Sequence, residues 1–438
     1  MLRNFLEQEY GISRSIYEAA VAAESELTVQ FAEIDGIRDY NQMKVLKALQ
    51  NQGIAERHFA GTSGYGYDDA GRDALDAVYA ETFGTEDAMV RSQIISGTQA
   101  LAVCLYGILR PGDELIAVTG KPYDTLEEVI GIREKKRGAL SSGSLKDFGI
   151  RYRQIDLKYT GDEPGGDCYE PDYEAIRETV TARTKMVMLQ RSRGYSFRKA
   201  LTIPVLQRII KIVKQINPEI IVMVDNCYGE FVEQMEPTQV GADLIAGSLI
   251  KNPGGGLALS GGYIAGKQEL VEVCAQRLTA PGLGKHVGAS LNSNRSMIQG
   301  FYFAPHVVAE SLKGAVFAAR FFEKMGFQTS PSSTEPRGDI IQAIQFHDPL
   351  RLKQFCQAVQ AAAPVDAFVV PEPWDMPGYE APVIMAAGAF VQGASIELSA
   401  DGPMIPPYTA YMQGGLIFSN VKLAVMLAAQ RLKGVSDV

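Results

Sequence analysis

Between residues 89 and 265 the chain alternates strand-like and helix-like segments, and this alternation most narrows what it can fold into. The strand-like runs are 89–95, 114–118, 152–155, 185–190, 220–224, 244–248 and 262–265. Helical periodicity fills most of the gaps, at 98–109, 123–134, 173–180, 205–216 and 269–277. Such a pattern implies βαβ units and a mostly parallel sheet. Several runs are nearly all apolar, as strands covered on both faces are. Residues 15–49 repeat apolar positions at helical steps, and a long helix is expected over 307–324. The expected division is a helical N-terminal segment (1–60), a large α/β domain (61–300) and a smaller α+β domain (301–438). Residues 138–147 read as a mobile surface loop.

The 438 residues are 46% hydrophobic and 21% charged, which permits a large core. A net charge of −9 argues against nucleic acid or an anionic membrane as the main partner. The N-terminal stretch has no apolar core of a secretory signal, and no run approaches the ~18 apolar residues of a membrane span. The five cysteines, Cys104, Cys168, Cys227, Cys274 and Cys356, form no CxxC pair. The pattern suits a reducing cytoplasm and no zinc site. His306 and Glu310 share a helical face, which is more often surface than metal site.

The chemistry-bearing residues fall where strands end, the edge at which open α/β sheets bind ligands. Asp225 follows the run 220–224, and Lys251 stands just beyond 244–248, 26 positions later. A lysine amine and a buried acid are what pyridoxal phosphate (PLP) requires: one holds the aldehyde as a Schiff base, the other keeps the pyridine nitrogen protonated. A lysine desolvated near cations has a lowered pKa, which suits it to act as base. Ser96-Gly97-Thr98 opens a helix after the first strand and suits a phosphate, as it also suits an ordinary N-cap. Ser248 could donate to the same phosphate. Tyr123 could stack on a flat ring, or be a core tyrosine. Arg193, in Gln190-Arg191-Ser192-Arg193-Gly194-Tyr195, and Arg337 are candidates for a substrate carboxylate.

Taken with Tyr65-Gly66-Tyr67-Asp68-Asp69, Val224-Asp225-Asn226-Cys227-Tyr228-Gly229-Glu230, Ser248-Leu249-Ile250-Lys251-Asn252-Pro253-Gly254-Gly255-Gly256 and Tyr411-Met412-Gln413-Gly414-Gly415, these segments carry a resemblance spanning nearly the whole chain. The sequence resembles fold-type-I PLP enzymes of the cysteine/methionine metabolism group, in the methionine gamma-lyase-like branch that includes aluminium-resistance proteins related to cystathionine beta-lyase. The resemblance implies a PLP-dependent transferase fold with a mostly parallel seven-stranded sheet and a smaller C-terminal domain. It implies a covalent aldimine on Lys251, Asp225 against the pyridinium, Tyr123 over the ring, and Ser96, Gly97, Thr98 and Ser248 around the phosphate. Tyr65 and Tyr67 would reach the phosphate of a neighbouring subunit in a homodimer or homotetramer. Better-known lyases of the group carry an arginine near the C-terminus for the substrate carboxylate. The comparable stretch, Glu397 to Tyr408, has none near Ile405, so Arg193 or Arg337 replaces it or the substrate differs. The implied reaction is β- or γ-elimination from a sulfur-containing amino acid, with Lys251 as base and Tyr123 as acid for the thiol. The alternatives are an aminotransferase on the same scaffold and a non-catalytic protein that binds a phosphate ligand.

Overall fold

The computed structural model describes residues 1–133, 143–162, 165–376 and 381–433. Helices α1 (Leu2–Tyr10), α2 (Arg14–Ser25) and α3 (Thr28–Asn51) come first, then a loop and α4 (Ala70–Phe83). Next come β1 (Asp87–Arg91), α5 (Gly97–Ile108), β2 (Glu114–Ala117), α6 (Asp124–Ile130) and β3 (Arg151–Gln154). A two-strand ribbon, β4 (Leu157–Tyr159) with β5 (Tyr169–Pro171), leads into α7 (Tyr173–Thr179). The alternation continues with β6 (Met186–Gln190), α8 (Ile203–Ile216), β7 (Ile221–Asp225), β8 (Leu244–Ser248), β9 (Gly262–Gly266) and α9 (Gln268–Leu278).

Seven of these strands form one sheet in the order β1-β9-β8-β7-β6-β2-β3. The ladder is parallel from β3 through β8, and β9 runs antiparallel to both of its neighbours. Alternate strand residues serve opposite faces. Val187, Leu189, Val222, Val224 and Ile245 join the core that includes α8 and the N-terminal helices. Met186, Met188, Ile221, Met223, Leu244 and Ala246 pack with residues of α5 and α9. Both faces are therefore dry, which accounts for the nearly unbroken apolar runs. In register, Asp225 lies opposite Gln190 on one side and Ala246 on the other. The carboxyl ends of β6, β7 and β8 thus share one edge.

The remainder comprises α10 (Asn294–Lys324), β10 (Gln328–Ser330), β11 (Gln342–Gln345), α11 (Pro349–Ala361), β12 (Val383–Ala386), β13 (Ser399–Pro403), β14 (Thr409–Gln413) and α12 (Phe418–Lys433). Its strands form an antiparallel sheet in the order β10-β11-β14-β13-β12. Helix α10 begins 13 residues earlier than the expected start at 307 and carries Pro305 inside it. A helix-interior proline removes a hydrogen bond. Burial of Phe301, Ala304, Val307 and Val308 around it offsets that loss.

Of the loop expected over 138–147, residues 138–142 lie outside the described residues. The rest is not a free surface loop: Leu145 is buried, and the Ser144 N–H and hydroxyl both donate to Asp147 Oδ2 at 2.9 Å. No helix among the described residues is long and apolar enough to cross a membrane.

Candidate active site

Strand ends and the helix starts beside them bring Ser96, Gly97, Thr98, Tyr123, Asp225, Ser248 and Lys251 into the lining of one cavity of about 190 Å³. Asp225 is buried where β7 ends, and its Oδ1 accepts the Cys227 N–H at 3.1 Å. Burial pushes this carboxyl above the usual range, against the nearby Lys251 charge and the Cys227 hydrogen bonds. Among the described residues it has an ionic neighbour but no close salt bridge, so a cationic N–H in the cavity would be its natural partner.

Lys251 follows β8 at the start of a short 3₁₀ turn, Asn252–Gly254. Its ammonium lies 4.0 Å from the centre of the Tyr228 ring. The expectation of a lysine lowered by neighbouring cations is corrected here. Burial alone would lower it, but Cys227, Tyr228, Asp225 and Glu230 face the amine and together hold it above its ordinary value. The chain thus sets acidic groups, not cations, around this lysine.

At the start of α5 the Ser96 hydroxyl accepts the Gln99 N–H at 3.1 Å, so Ser96 is an N-cap. The first-turn N–H groups of Gly97 and Thr98 have no intrahelical acceptor and stand ready for an anion. A Cβ at Gly97 would come within 3.2 Å of Cys227 Sγ and 3.3 Å of Ser248 Cβ, so a side chain there would crowd the cradle. The Thr98 hydroxyl pairs with that of Thr125 at 2.6 Å. An acid-floored cleft with a helix-start anion cradle at its side and a lysine within it fits a phosphorylated pyridine aldehyde.

A second cavity of about 440 Å³ shares Tyr123, Gln190 and Gly194 with the first and is also lined by Arg193, Tyr195 and Arg198. Arg193 is fully buried. Its Nη1 donates to Ser330 O at 2.7 Å, while Nε and Nη2 have no partner among the described residues. Burial holds its pKa below the ordinary value. Arg337 lines neither cavity. It donates to Gln342 Oε1 at 2.6 Å, and Gln342 in turn binds the same Ser330 carbonyl. Tyr65 and Tyr67 are 76% and 58% exposed, away from both cavities of their own chain. Asp69, which accepts from Ser290, Thr62, Asn294 and the Arg72 N–H, ties down the loop that carries them.

The family model for methionine gamma-lyase matches residues 16–433. This chain belongs to the methionine gamma-lyase family. Protein YnbB of Bacillus subtilis, whose role is uncharacterized, is 51% identical over 415 residues, which cover 95% of this chain and 96% of YnbB. The crystal structure of a carbon-sulfur lyase involved in aluminum resistance from Clostridium novyi is 47% identical, with a TM-score of 0.91 over 98% of each chain. The PLP-dependent protein YhfS of Escherichia coli, at 15% identity, shares the fold with a TM-score of 0.60 over 92% of this chain and 97% of its own. The fold is that of the type I PLP enzymes.

Against this family background, sequence reasoning missed Tyr228, Cys227, Gln190 and Thr125, which also line the smaller cavity. Tyr228 sits in the left-handed region at φ 70°, and its ring lies under the lysine. The motif 224–230 contained it, but a side chain's direction after a tight turn is not written in residue spacing.

Proposed function

We propose that this chain is a PLP-dependent carbon–sulfur lyase that releases thiol, ammonia and a keto acid from a sulfur-containing amino acid by β- or γ-elimination. The observation that carries the reading is the convergence of Lys251 and buried Asp225 on one cavity beside a helix-start anion cradle. PLP, when bound, supplies an electron sink for the substrate α-carbon.

The chain's own groups divide the remaining work. Lys251 Nζ would hold the cofactor and is the base that would take the substrate α-proton. Asp225 keeps a proton on the pyridine nitrogen. The Gly97 and Thr98 N–H groups, with the Ser96 and Ser248 hydroxyls, hold the phosphate. Tyr123 lines the cavity that would take the cofactor, and its hydroxyl would give a proton to the departing sulfur. Arg193, which lines the larger cavity and keeps Nε and Nη2 buried without a partner among the described residues, would take the substrate carboxylate, with Arg337 as the alternative. Tyr65 and Tyr67, exposed on a fixed loop, serve the phosphate site of a second copy in a dimer or tetramer.

The test begins with borohydride treatment of the PLP-loaded protein and peptide mapping, which should place the label on Lys251. Lys251→Ala should lose both label and turnover. Cysteine, cystathionine, methionine and homocysteine are then scored for thiol, ammonia and keto acid without any keto-acid acceptor. Product formation only when an acceptor is added would replace the lyase by an aminotransferase. Failure to take up PLP at all would leave the anion-binding alternative.

A further inference from the structure

We propose that Asp401 is a positioning residue of the active site: from the C-terminal sheet its carboxylate fixes the Tyr195 hydroxyl, and Tyr195 fixes the Tyr123 ring that walls both cavities. The assignment rests on the cofactor reading above and extends it to a residue that touches neither cavity.

Asp401 lies on β13, buried, in the stretch where an arginine was expected. Its donors are neutral. Gln413 Nε2 on β14 reaches Oδ2 at 2.9 Å, and the Tyr195 hydroxyl faces the same carboxylate. Tyr195 is held at its other end too. Its carbonyl accepts the Tyr411 hydroxyl at 2.9 Å, and its ring lies 5.4 Å from the Tyr411 ring. Asp401 on β13, itself held by Gln413, and Tyr411 on β14 therefore clamp a tyrosine in the loop after a strand of the other sheet. The clamped ring meets Tyr123 edge-on, with centroids 6.1 Å apart at 64°. Tyr195 faces the larger cavity, whereas Tyr123 lines both.

A carboxylate is a costly way to fill a buried space that an aliphatic side chain could fill without desolvation. What it adds is direction, since an ionised acceptor binds a hydroxyl more strongly than a neutral one. The titratable groups facing it are Lys251, Tyr195, Tyr228, Tyr411 and Cys356, and Lys251 is the cation among them. Burial pushes the Asp401 carboxyl up to about 6, against the hydrogen bonds from Tyr195 and Gln413 and the charge of Lys251. The clamp is accordingly tight above that pH and loosens as pH falls through it.

The experiment compares PLP-loaded native enzyme with Asp401→Asn and Tyr195→Phe. Two quantities are followed from about pH 5 to 8: the visible circular dichroism of the bound cofactor, which reports its asymmetric surroundings, and kcat/KM. The native enzyme should show a step in both at about pH 6 or above, since a Lys251 bound to the cofactor lowers Asp401 less than the free ammonium does. Both variants should lose the step and fall about tenfold or more in kcat/KM above it. Tyr195→Phe, which keeps the ring, decides the matter if Asp401→Asn does not fold. The same step in Tyr195→Phe as in the native enzyme overturns the assignment, as does a lowered melting temperature with the step intact. A native enzyme that takes up PLP without any such step overturns this assignment alone; one that takes up no PLP overturns it together with the cofactor reading.

Discussion

The Lys251 ammonium rests 4.0 Å from the centre of the Tyr228 ring. The two side chains leave the ends of neighbouring strands, β8 and β7, and meet in the cavity both strands open onto. A desolvated cation over an aromatic face gains up to about 2 kcal/mol, so the ring helps keep the resting lysine protonated.

Removing that ring should make the amine easier to deprotonate. In the protein without PLP, Tyr228→Leu should move the pH of half-maximal acylation of Lys251 downward by about one unit, and Tyr228→Phe by much less. Peptide mapping of a pH series of acylation reactions reads this directly. An unchanged midpoint in Tyr228→Leu would remove the ring from the account of the site's electrostatics.

Gly97→Ala tests the anion cradle. The added methyl group would press on Cys227 Sγ and Ser248 Cβ, at 3.2 and 3.3 Å. Overpacking of this kind costs about 1–3 kcal/mol, which should appear as an about 5- to 150-fold weaker affinity for PLP in an absorbance titration. Inorganic phosphate should compete with PLP less well in the variant than in the native protein.

Asp69 ties the tyrosine loop to the body of the chain, and its hydrogen bonds hold the carboxyl well below its ordinary value despite its burial. A lowered pKa stabilises the fold above the unfolded-state value near ~3.9, and the gain is lost as pH falls through the folded value. Asp69→Ala also removes the N-cap of α4, typically about 1 kcal/mol. The melting temperature should therefore drop clearly at pH 7, and the gap to the native protein should narrow toward pH 3.

Glu230 shows the opposite sign. It is buried with Oε1 accepting the Tyr263 hydroxyl at 2.8 Å and Oε2 without a partner among the described residues. Burial pushes its carboxyl up to about 8. Below the unfolded value near ~4.3 both states are protonated, and from there to about 8 the folded state alone keeps its proton. Native stability is thereby reduced as pH rises through that window and by a constant amount above it. Glu230→Gln should match the native melting temperature near pH 4, exceed it increasingly from there toward pH 8, and hold a constant advantage beyond. A constant difference across the whole range would mean that Glu230 is ionised in the fold.

Much of this architecture was readable in advance for a simple reason. A strand covered on both faces can hold hardly any polar residue, so β6, β7 and β8 announce themselves, and the polar residue that ends each run marks the ligand edge. That is why Asp225 and Ser248 could be set at the sheet's carboxyl edge from the pattern, with Lys251 just beyond it, while their roles came from the family resemblance. The reversed direction of β9 was not readable, because an apolar run looks the same in either orientation. Pro305 concealed the first turns of α10, since a proline signals a boundary unless burial around it overrides the rule.

By itself the sequence determined the alternating sheet and the residues that can carry charge at its carboxyl edge, because both follow from local pattern and from the cost of burying polar groups. Tertiary structure alone decided that Tyr228 lies under Lys251, that acids surround that lysine, and that Asp401 grips Tyr195 from the second sheet. Those relationships join residues up to hundreds of positions apart. Their free energy depends on distance and burial in three dimensions, which sequence spacing does not encode.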